Sequence, residues 1–362
     1  MDSFAFIIHP IDPKRDVSRK YPLLGKIFNE RLINFGSTFF PPVLLSEVEG
    51  IRSTSTGKEL KGWLIACPLT AARMLELDER IAYRKIIQTG RLAERLGADI
   101  LGLGAFTSVV GDGGLTVANA LNIPVTTGDA YTISVAVQAI RKAADIMQID
   151  LANTAAAIVG ATGAIGRVCT ELLANEVAEL HLFGRKKDNL RKLQDDVSKN
   201  SKTELIISTD LQNLRKVKVI LTVSSAVHAI IQPDYLQPGS VICDVARPRD
   251  VATSVAAARD DVFVFDGGML DVPGSVNFNF DFGFPPGKAY ACMAETMALA
   301  LEGRFEDYTL GKQITRERVA EITQIATKHG FEISGFRSFE RPVSLEKINQ
   351  IRSNAKSRNS VN

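Results

Sequence analysis

Three stretches of this chain hold residue types whose spacing could do chemistry. The first is Gly160-Ala-Thr-Gly163-Ala-Ile-Gly166, directly after the apolar run 155–159. A strand that ends in a glycine turn and opens into a helix can hold a dinucleotide. The first glycine permits the tight turn, the middle one lets backbone approach a pyrophosphate, and the third lets helix and strand pack closely. Backbone N–H groups and the dipole at the helix start favour the anion. Gly160, Thr162, Gly163, Ala164, Ile165 and Gly166 are therefore expected to bind cofactor. The spacing is GxxGxxG rather than GxGxxG, and a plain strand–helix turn with small residues for packing would read alike.

The second stretch ends the next strand. An NAD site wants Asp or Glu there to accept from the ribose hydroxyls. This chain has Phe183-Gly184-Arg185-Lys186-Lys187, cations without a carboxylate. A 2′-phosphate is attracted by that charge, and a guanidinium can hold it by paired hydrogen bonds. Arg185 and Lys186 thus point to NADPH. The plainer alternative is cations that simply face water.

The third is Gly287-Lys-Ala-Tyr-Ala-Cys292-Met-Ala-Glu-Thr, in the first turn of a helix expected over 288–302. A thiol there feels the positive end of the dipole, with Lys288 adding to it. Its pKa should fall from about 8.5 towards neutrality, giving a nucleophile. Periodicity by itself favours a buried small side chain. Cys67 ends a strand and is the second choice; Cys169 and Cys243 look structural. No CxxC pair occurs, and His9, His181, His228 and His329 form no metal-spaced pair, so no metal site is expected. His228 reads as a loop histidine.

These residues need a framework. The segments 62–67, 99–103 and 123–126 read as strands, with a helix over 70–97 between the first two and another after Asp129. From 154 onward, strands recur at 155–159, 180–183, 206–208, 219–223, 241–244 and 262–265. Alternation of this kind favours mostly parallel α/β sheets. The expected class is α/β: a Rossmann-like NADP-binding domain, an N-terminal α/β substrate domain, and C-terminal helices packing back. Expected boundaries are 1–148 for the substrate domain, 149–290 for the NADP-binding domain, 291–340 for the helices and 341–362 for a polar tail, equally readable as disordered. Phe278, Phe280, Phe282 and Phe284 alternate, which suits either an apolar tunnel or a packed strand.

Composition narrows the classes. At 362 residues two domains are expected, and 45% hydrophobic with 23% charged residues is ordinary for a globular chain. The net charge of +2 indicates no nucleic-acid surface. The N-terminal apolar run is too short for a signal, and no run approaches a membrane span. A cytoplasmic protein with at most peripheral membrane contact is expected.

The motifs Gly104-Ala-Phe-Thr-Ser108, Thr126-Thr-Gly128, the Gly160–Gly166 turn, Gly267-Gly268, Ala289-Tyr-Ala-Cys-Met-Ala-Glu295 and Lys328-His-Gly-Phe331 stand together in this order. In this the chain resembles the long-chain fatty acyl-[acyl-carrier-protein] reductases of cyanobacteria, from about residue 50 to about 335. The resemblance implies NADPH-dependent reduction of a fatty acyl thioester, on acyl-carrier protein or CoA, to an aldehyde. Cys292 would carry the acyl group. Phe106, Thr107, Ser108, Thr127 and Gly128 would meet substrate, and Val223, Ser224 and Gly268 would add cofactor contacts. An enzyme that consumes the aldehyde would be a further partner. Acyl carriers are acidic, and Arg80, Arg84, Lys85, Arg91 and Arg95 on one helix could dock them or simply face water.

Other readings stay open. One is a shikimate-like or amino-acid NADP-dependent dehydrogenase with no covalent step; another is a non-catalytic NADP-binding regulator. Asp244-Val-Ala-Arg-Pro-Arg-Asp250 resembles the matching loop of glutamyl-tRNA reductases. That family needs its cysteine in an N-terminal domain, and none precedes Cys67 here.

Overall fold

The computed structural model describes residues 1–359. The chain forms two compact units. The first joins Met1–Thr132 to Leu270–Ser334; the second joins Ile133–Met269 to the chain from Gly335 onward. These divisions differ from the expected boundaries at 148, 290 and 340. Local pattern marks where elements start, whereas unit membership follows long-range pairing that a linear reading does not contain.

In the first unit, strands β1 (Ser3–Ile8), β2 (Val43–Arg52), β3 (Glu59–Ala66), β4 (Leu101–Leu103) and β5 (Val125–Thr126) build one sheet. Its order is Gly274–Asn277, β2, β3, β1, β4, β5. β3, β1, β4 and β5 run parallel; β2 pairs antiparallel with β3, and the edge strand Gly274–Asn277 pairs antiparallel with β2. The expected helix over 70–97 is two helices, Ala71–Glu76 and Glu79–Leu96. Asp78 breaks the run because its side chain accepts from Arg80 N and caps the second helix. Helix Ala291–Glu302 packs on β1 and β4 and is almost wholly buried. A Cβ at Gly102 would stand 2.1 Å from Thr296 Oγ1, so this glycine lets the helix lie close to the sheet. Helix Arg316–His329 is tied to it through Glu302, which accepts from Lys328 Nζ (2.8 Å) and pairs with His329 Nε2 (2.7 Å). The expected helix over 288–302 starts later than read, after a short strand, Lys288–Tyr290.

The second unit holds β6 (Ala155–Val159), β7 (Glu179–Phe183), β8 (Glu204–Ser208), β9 (Val219–Thr222), β10 (Val241–Asp244) and β11 (Phe263–Asp266). All are parallel, in the order β11, β10, β9, β6, β7, β8. Numbered within the unit this is 3-2-1-4-5-6, the Rossmann order. β6 and β9 supply Ala157, Val159 and Ile220 to a core completed by Ile242, Val264, Leu214 and Val217. Continuous apolar strands are what a sheet covered on both faces requires.

The polar tail is ordered where it is described. Helix Leu345–Asn359 buries Ile348, Ile351 and Ala355 at helical spacing. Arg358 pairs with Asp260 at 2.7 Å and Asp261 at 2.9 Å, and Arg352 donates to Ile146 O at 3.0 Å. Residues 360–362 of the expected tail lie outside the described residues. Phe336 fills the gap against Phe265, with ring centroids 4.8 Å apart. No helix among the described residues is long and apolar enough to cross a membrane.

Candidate active site

The glycine turn links β6 to helix Ala164–Leu173 in the second unit. Gly160 has φ +84°, and a Cβ there would stand 3.0 Å from Ser224 Cα and from Val223 C. The turn is thereby pressed against the loop that follows β9. A Cβ at Gly166 would come within 2.2 Å of Gly160 O, which brings helix and strand together. Gly163 is the N-cap, and no side chain caps this helix. Thr162 and Gly163 are exposed, and Ala164 and Ile165 half-buried. An open backbone at a helix start suits a dinucleotide phosphate, so the residues present fit that group.

Arg185 and Lys186 are exposed just past β7. Among the described residues neither side chain pairs with a carboxylate. Beyond β9 the backbone is pinned by Asp250, which accepts from Ser224 N at 2.9 Å, Ser224 Oγ at 2.5 Å and Thr222 Oγ1 at 2.5 Å. Burial pushes its carboxyl up, against those hydrogen bonds. Asp244 accepts from Ala246 N and Val251 N, and burial pushes it up to about 7 against the pull of Arg247. Gly267 N donates to Asp244 O at 2.9 Å and sets the adjoining Gly268, which is buried. The turn, Val223 and Ser224 thus gather at the carboxyl ends of β6 and β9, where ligands bind in open α/β sheets. His228 is exposed on the loop beyond.

Cys292 belongs to the first unit. It is the second residue of helix Ala291–Glu302, whose N-cap is Tyr290. It is half-buried, while Cys67, Cys169 and Cys243 are buried. Burial pushes Cys67 up to about 11 and Cys169 to about 12, which suits structural thiols. The expected lowering at Cys292 is overturned: burial, then the negative charge of Asp129, pushes it up to about 12. Lys288 does not relieve this, because its ammonium pairs with Asp271. The magnitudes explain the outcome. A helix terminus contributes about 0.3–1 kcal/mol, below one pKa unit, whereas burial shifts ionisable groups by up to about 3–5 units.

The thiol is backed by the turn after β5. Gly128 has φ +78°, and a Cβ there would lie 2.3 Å from Cys292 Cα. Behind it Glu295, fully buried, accepts from Thr126 Oγ1 (2.5 Å), Thr309 Oγ1 (2.7 Å) and Tyr131 N (2.8 Å). Burial pushes Glu295 up. Thr127 donates its hydroxyl to Thr309 O at 2.9 Å. Asp129, half-buried at the start of helix Asp129–Ile146, is pushed up to about 7 by burial and by the charge of Glu295. The result is a thiol, a carboxyl that changes charge near neutrality, and a carboxyl locked in hydrogen bonds.

The neighbouring loop, after β4, carries Phe106, Thr107 and Ser108, all buried. Thr107 and Ser108 donate their hydroxyls to Gly104 O and Ala105 O, at 2.8 and 2.7 Å. Ala105 has φ 47°, a strained backbone for a residue with a Cβ. Phe106 N donates to His9 Nε2 at 3.0 Å, just past β1. His9 therefore accepts at Nε2, and burial holds its pKa low. Because β1, β4 and β5 are parallel neighbours, His9, Phe106 and Gly128 all follow carboxyl strand ends of one sheet. The phenylalanine run is not a continuing strand, since Gly274–Asn277 ends before it. Its rings instead form a chain: Phe278 on Phe282 (5.1 Å), Phe282 on Phe284 (4.8 Å), Phe284 on Tyr290 (4.4 Å). That chain ends two residues before Cys292.

Asp129 and Thr309 are not among the expected site residues, and Glu295 enters them only as part of a motif. Asp129 reads locally as a helix cap. The signal in the sequence is Glu295, a carboxylate in the middle of the mostly apolar helix Ala291–Glu302. On helix Glu79–Leu96, Arg80, Arg84, Arg91 and Arg95 are exposed, whereas Lys85 turns away and donates to Phe40 O at 2.7 Å. Among the described residues no group of three or more His, Cys, Asp or Glu is placed to hold a metal.

Comparison with known proteins bears on these units unequally. The shikimate / quinate 5-dehydrogenase family profile matches residues 141–267. The chain is 31% identical over 301 residues to aminotransferase PigE of Serratia sp., covering 82% of this chain and 35% of that protein. It thus spans about a third of that relative's length. It is 27% identical over 346 residues to long-chain acyl-[acyl-carrier-protein] reductase of Synechococcus elongatus, covering 91% and 98%. Among solved structures, glutamyl-tRNA reductase from Methanopyrus kandleri matches with TM-score 0.30 at 16% identity, covering 78% of this chain and 56% of that one. The chain has an oxidoreductase-type, NAD(P)-dependent dehydrogenase/reductase fold, and a nicotinamide cofactor is implied.

Proposed function

We propose that this protein reduces a long-chain fatty acyl thioester, carried on acyl-carrier protein or CoA, to the free aldehyde, with NADPH as donor and Cys292 as the acyl-bearing residue. The observation that carries this reading is the half-buried thiol of Cys292, packed against Gly128 and within the field of the Asp129 carboxyl. The similarity to the Synechococcus reductase, over nearly the whole of both chains, supports it.

A thiol near 12 is protonated at neutral pH, so its nucleophile is made on demand. Asp129, near 7, is the acceptor. Complete transfer before attack is uphill, because the thiol holds its proton more tightly than the carboxyl does. The proton therefore moves as the bond forms between Cys292 Sγ and the acyl carbonyl carbon. The carrier's C–S bond then breaks, and its sulfur leaves with the proton returned by Asp129. Glu295 is a positioning residue: held by Thr126, Thr309 and Tyr131 N, it fixes the turn behind the sulfur. Phe106, Thr107, Ser108, Thr127 and Gly128 border the thioester, and the Phe278–Tyr290 ring chain offers apolar contact to the acyl tail.

Bound NADPH supplies the hydride that takes the acyl group to the aldehyde level. The Gly160–Gly166 turn would hold its pyrophosphate, Arg185 and Lys186 its 2′-phosphate, and Val223, Ser224 and Gly268 its remaining contacts. The Cys292–carbon bond breaks as aldehyde is released, the sulfur leaving as thiolate and regaining its proton from water, and an aldehyde-consuming enzyme is a fitting partner for such a product. Docking of the acidic carrier falls to Arg80, Arg84, Arg91 and Arg95.

The test is incubation with palmitoyl-CoA in the absence of NADPH, followed by peptide mass mapping. Acylation of Cys292 is expected; an unmodified Cys292 under conditions that yield aldehyde with NADPH overturns the covalent route. A dehydrogenase without a covalent step draws on the profile match at 141–267. That match lies outside the stretch carrying Cys292, and such an enzyme would keep its activity in Cys292→Ala.

A further inference from the structure

Helices Pro13–Lys20, Pro22–Ile27 and Glu30–Ser37 lie between β1 and β2 of the first unit. Two of them are turned the wrong way for a protein surface. Helix Glu30–Ser37 points polar residues inward: Asn34 Oδ1 accepts from Thr70 Oγ1 at 2.8 Å, and Ser37 is buried. Its apolar residues Leu32 and Phe35 face out, continued by Phe39, whose ring lies 5.5 Å from that of Phe35. In helix Pro22–Ile27 it is Gly25 that is buried, while Leu23 and Ile27 are exposed. Exposure of these five runs from 53% at Leu32 to 72% at Leu23. Helical surfaces ordinarily show the reverse, and contiguous exposed apolar residues mark an interaction site.

The cations between them choose the occupant. Residues 11–40 carry six Lys and Arg against three Asp and Glu. Two of those carboxylates are engaged at the start of helix Pro13–Lys20: Asp12 accepts from Arg15 N, and Asp16 from Ile11 N and Asp12 N. Lys26 and Arg31 are exposed, adjoin Ile27 and Leu32 in sequence, and make no ion pair among the described residues. Interface cores between proteins are depleted in lysine. Helices that lie in a lipid headgroup layer combine outward Leu and Phe with Lys and Arg beside them.

We propose that this helical segment, residues 13–40, is a docking surface for an anionic lipid bilayer, with Leu23, Ile27, Leu32, Phe35 and Phe39 entering the headgroup boundary and Lys26 and Arg31 meeting lipid phosphates. The contact is peripheral and reversible. It does not depend on the chemistry at Cys292, so its failure would leave the thioester reading standing.

Flotation of the full chain with two vesicle types tests it: phosphatidylcholine alone, and phosphatidylcholine containing phosphatidylglycerol. Co-flotation with the anionic vesicles and much less with the neutral ones is expected, weakening as salt rises. The triple variant Leu32→Ser, Phe35→Ser, Phe39→Ser should lose binding by about tenfold or more. Lys26→Glu with Arg31→Glu should abolish the preference for anionic lipid while leaving the apolar residues in place. Unchanged thermal unfolding shows that each variant is folded; a misfolded triple variant is replaced by Phe39→Ser alone, expected to weaken binding measurably. Absence of wild-type flotation with both vesicle types overturns the proposal. So does sedimentation showing a wild-type dimer that the triple variant dissociates without vesicle binding, which would assign the surface to a second copy of the chain.

Discussion

The nucleotide turn and the thiol site are built from different materials. The turn is one contiguous stretch, and what it presents is mostly backbone: Gly160 and Gly166 stand where a Cβ would crowd neighbouring backbone. The thiol site is assembled from side chains on three separate segments, with Thr126–Tyr131, Cys292–Glu295 and Thr309 meeting through Glu295. A backbone site tolerates most exchanges that keep its glycines. A site of facing carboxyls and a thiol depends on each group's charge, because burial makes every neighbour count. Substitutions in the two regions should therefore separate cleanly, one set altering nucleotide affinity and the other altering bond-making.

The sharpest separation is Cys292→Ala. Aldehyde formation should fall by about a thousandfold or more, with NADPH affinity by fluorescence titration unchanged. An Ala variant that still makes aldehyde breaks the division of labour at once. Next is Asp129→Asn, expected to slow single-turnover acylation about a hundredfold. Acylation by the wild type should rise as pH passes through about 7, where Asp129 ionises. The rise should vanish in the Asp129→Asn variant. A variant that keeps the same pH profile removes Asp129 from the role of proton acceptor. Arg185→Gln should raise KM for NADPH about tenfold and leave KM for NADH and the acylation rate nearly unchanged. Equal losses with both nucleotides would assign Arg185 to the fold instead.

The smallest expected effect is on stability. Asp129 has a folded pKa raised to about 7, above the ordinary carboxylate value near 3.9. The folded state then holds a proton that the unfolded state has released, so stability falls as pH rises from about 4 through 7. The Asp129→Asn variant should show a shallower decline of Tm over that window. An unaltered slope would mean that Asp129 ionises as it does in water.

What can be read from sequence follows the same contrast. The six parallel strands of the second unit are visible because most are short apolar runs, although His181 interrupts β7, and Gly160–Gly166 because its chemistry is contiguous. Cys292 can be located, but not its pKa, since what raises it is first burial by the fold and then the charge of Asp129, from a distant segment of chain. Asp129 looks like a cap when only its helix is considered. β1 and β2 escape a linear reading because the first is a brief apolar run and the second alternates irregularly through Glu47 and Gly50. The final helix is hidden because only Ile348, Ile351 and Ala355 mark its buried stripe within a polar stretch.

The first unit is discontinuous, and this has a consequence during synthesis. Its edge strand Gly274–Asn277 and its helix Ala291–Glu302 leave the ribosome only after all of β6–β11. The second unit's sheet can close first, while the earlier sheet waits with Gly102 uncovered until Thr296 arrives. The Cys292 thiol is thus among the last of the candidate-site groups to be installed, and a nascent chain halted near residue 280 would carry the whole Gly160–Gly166 turn but not this sulfur.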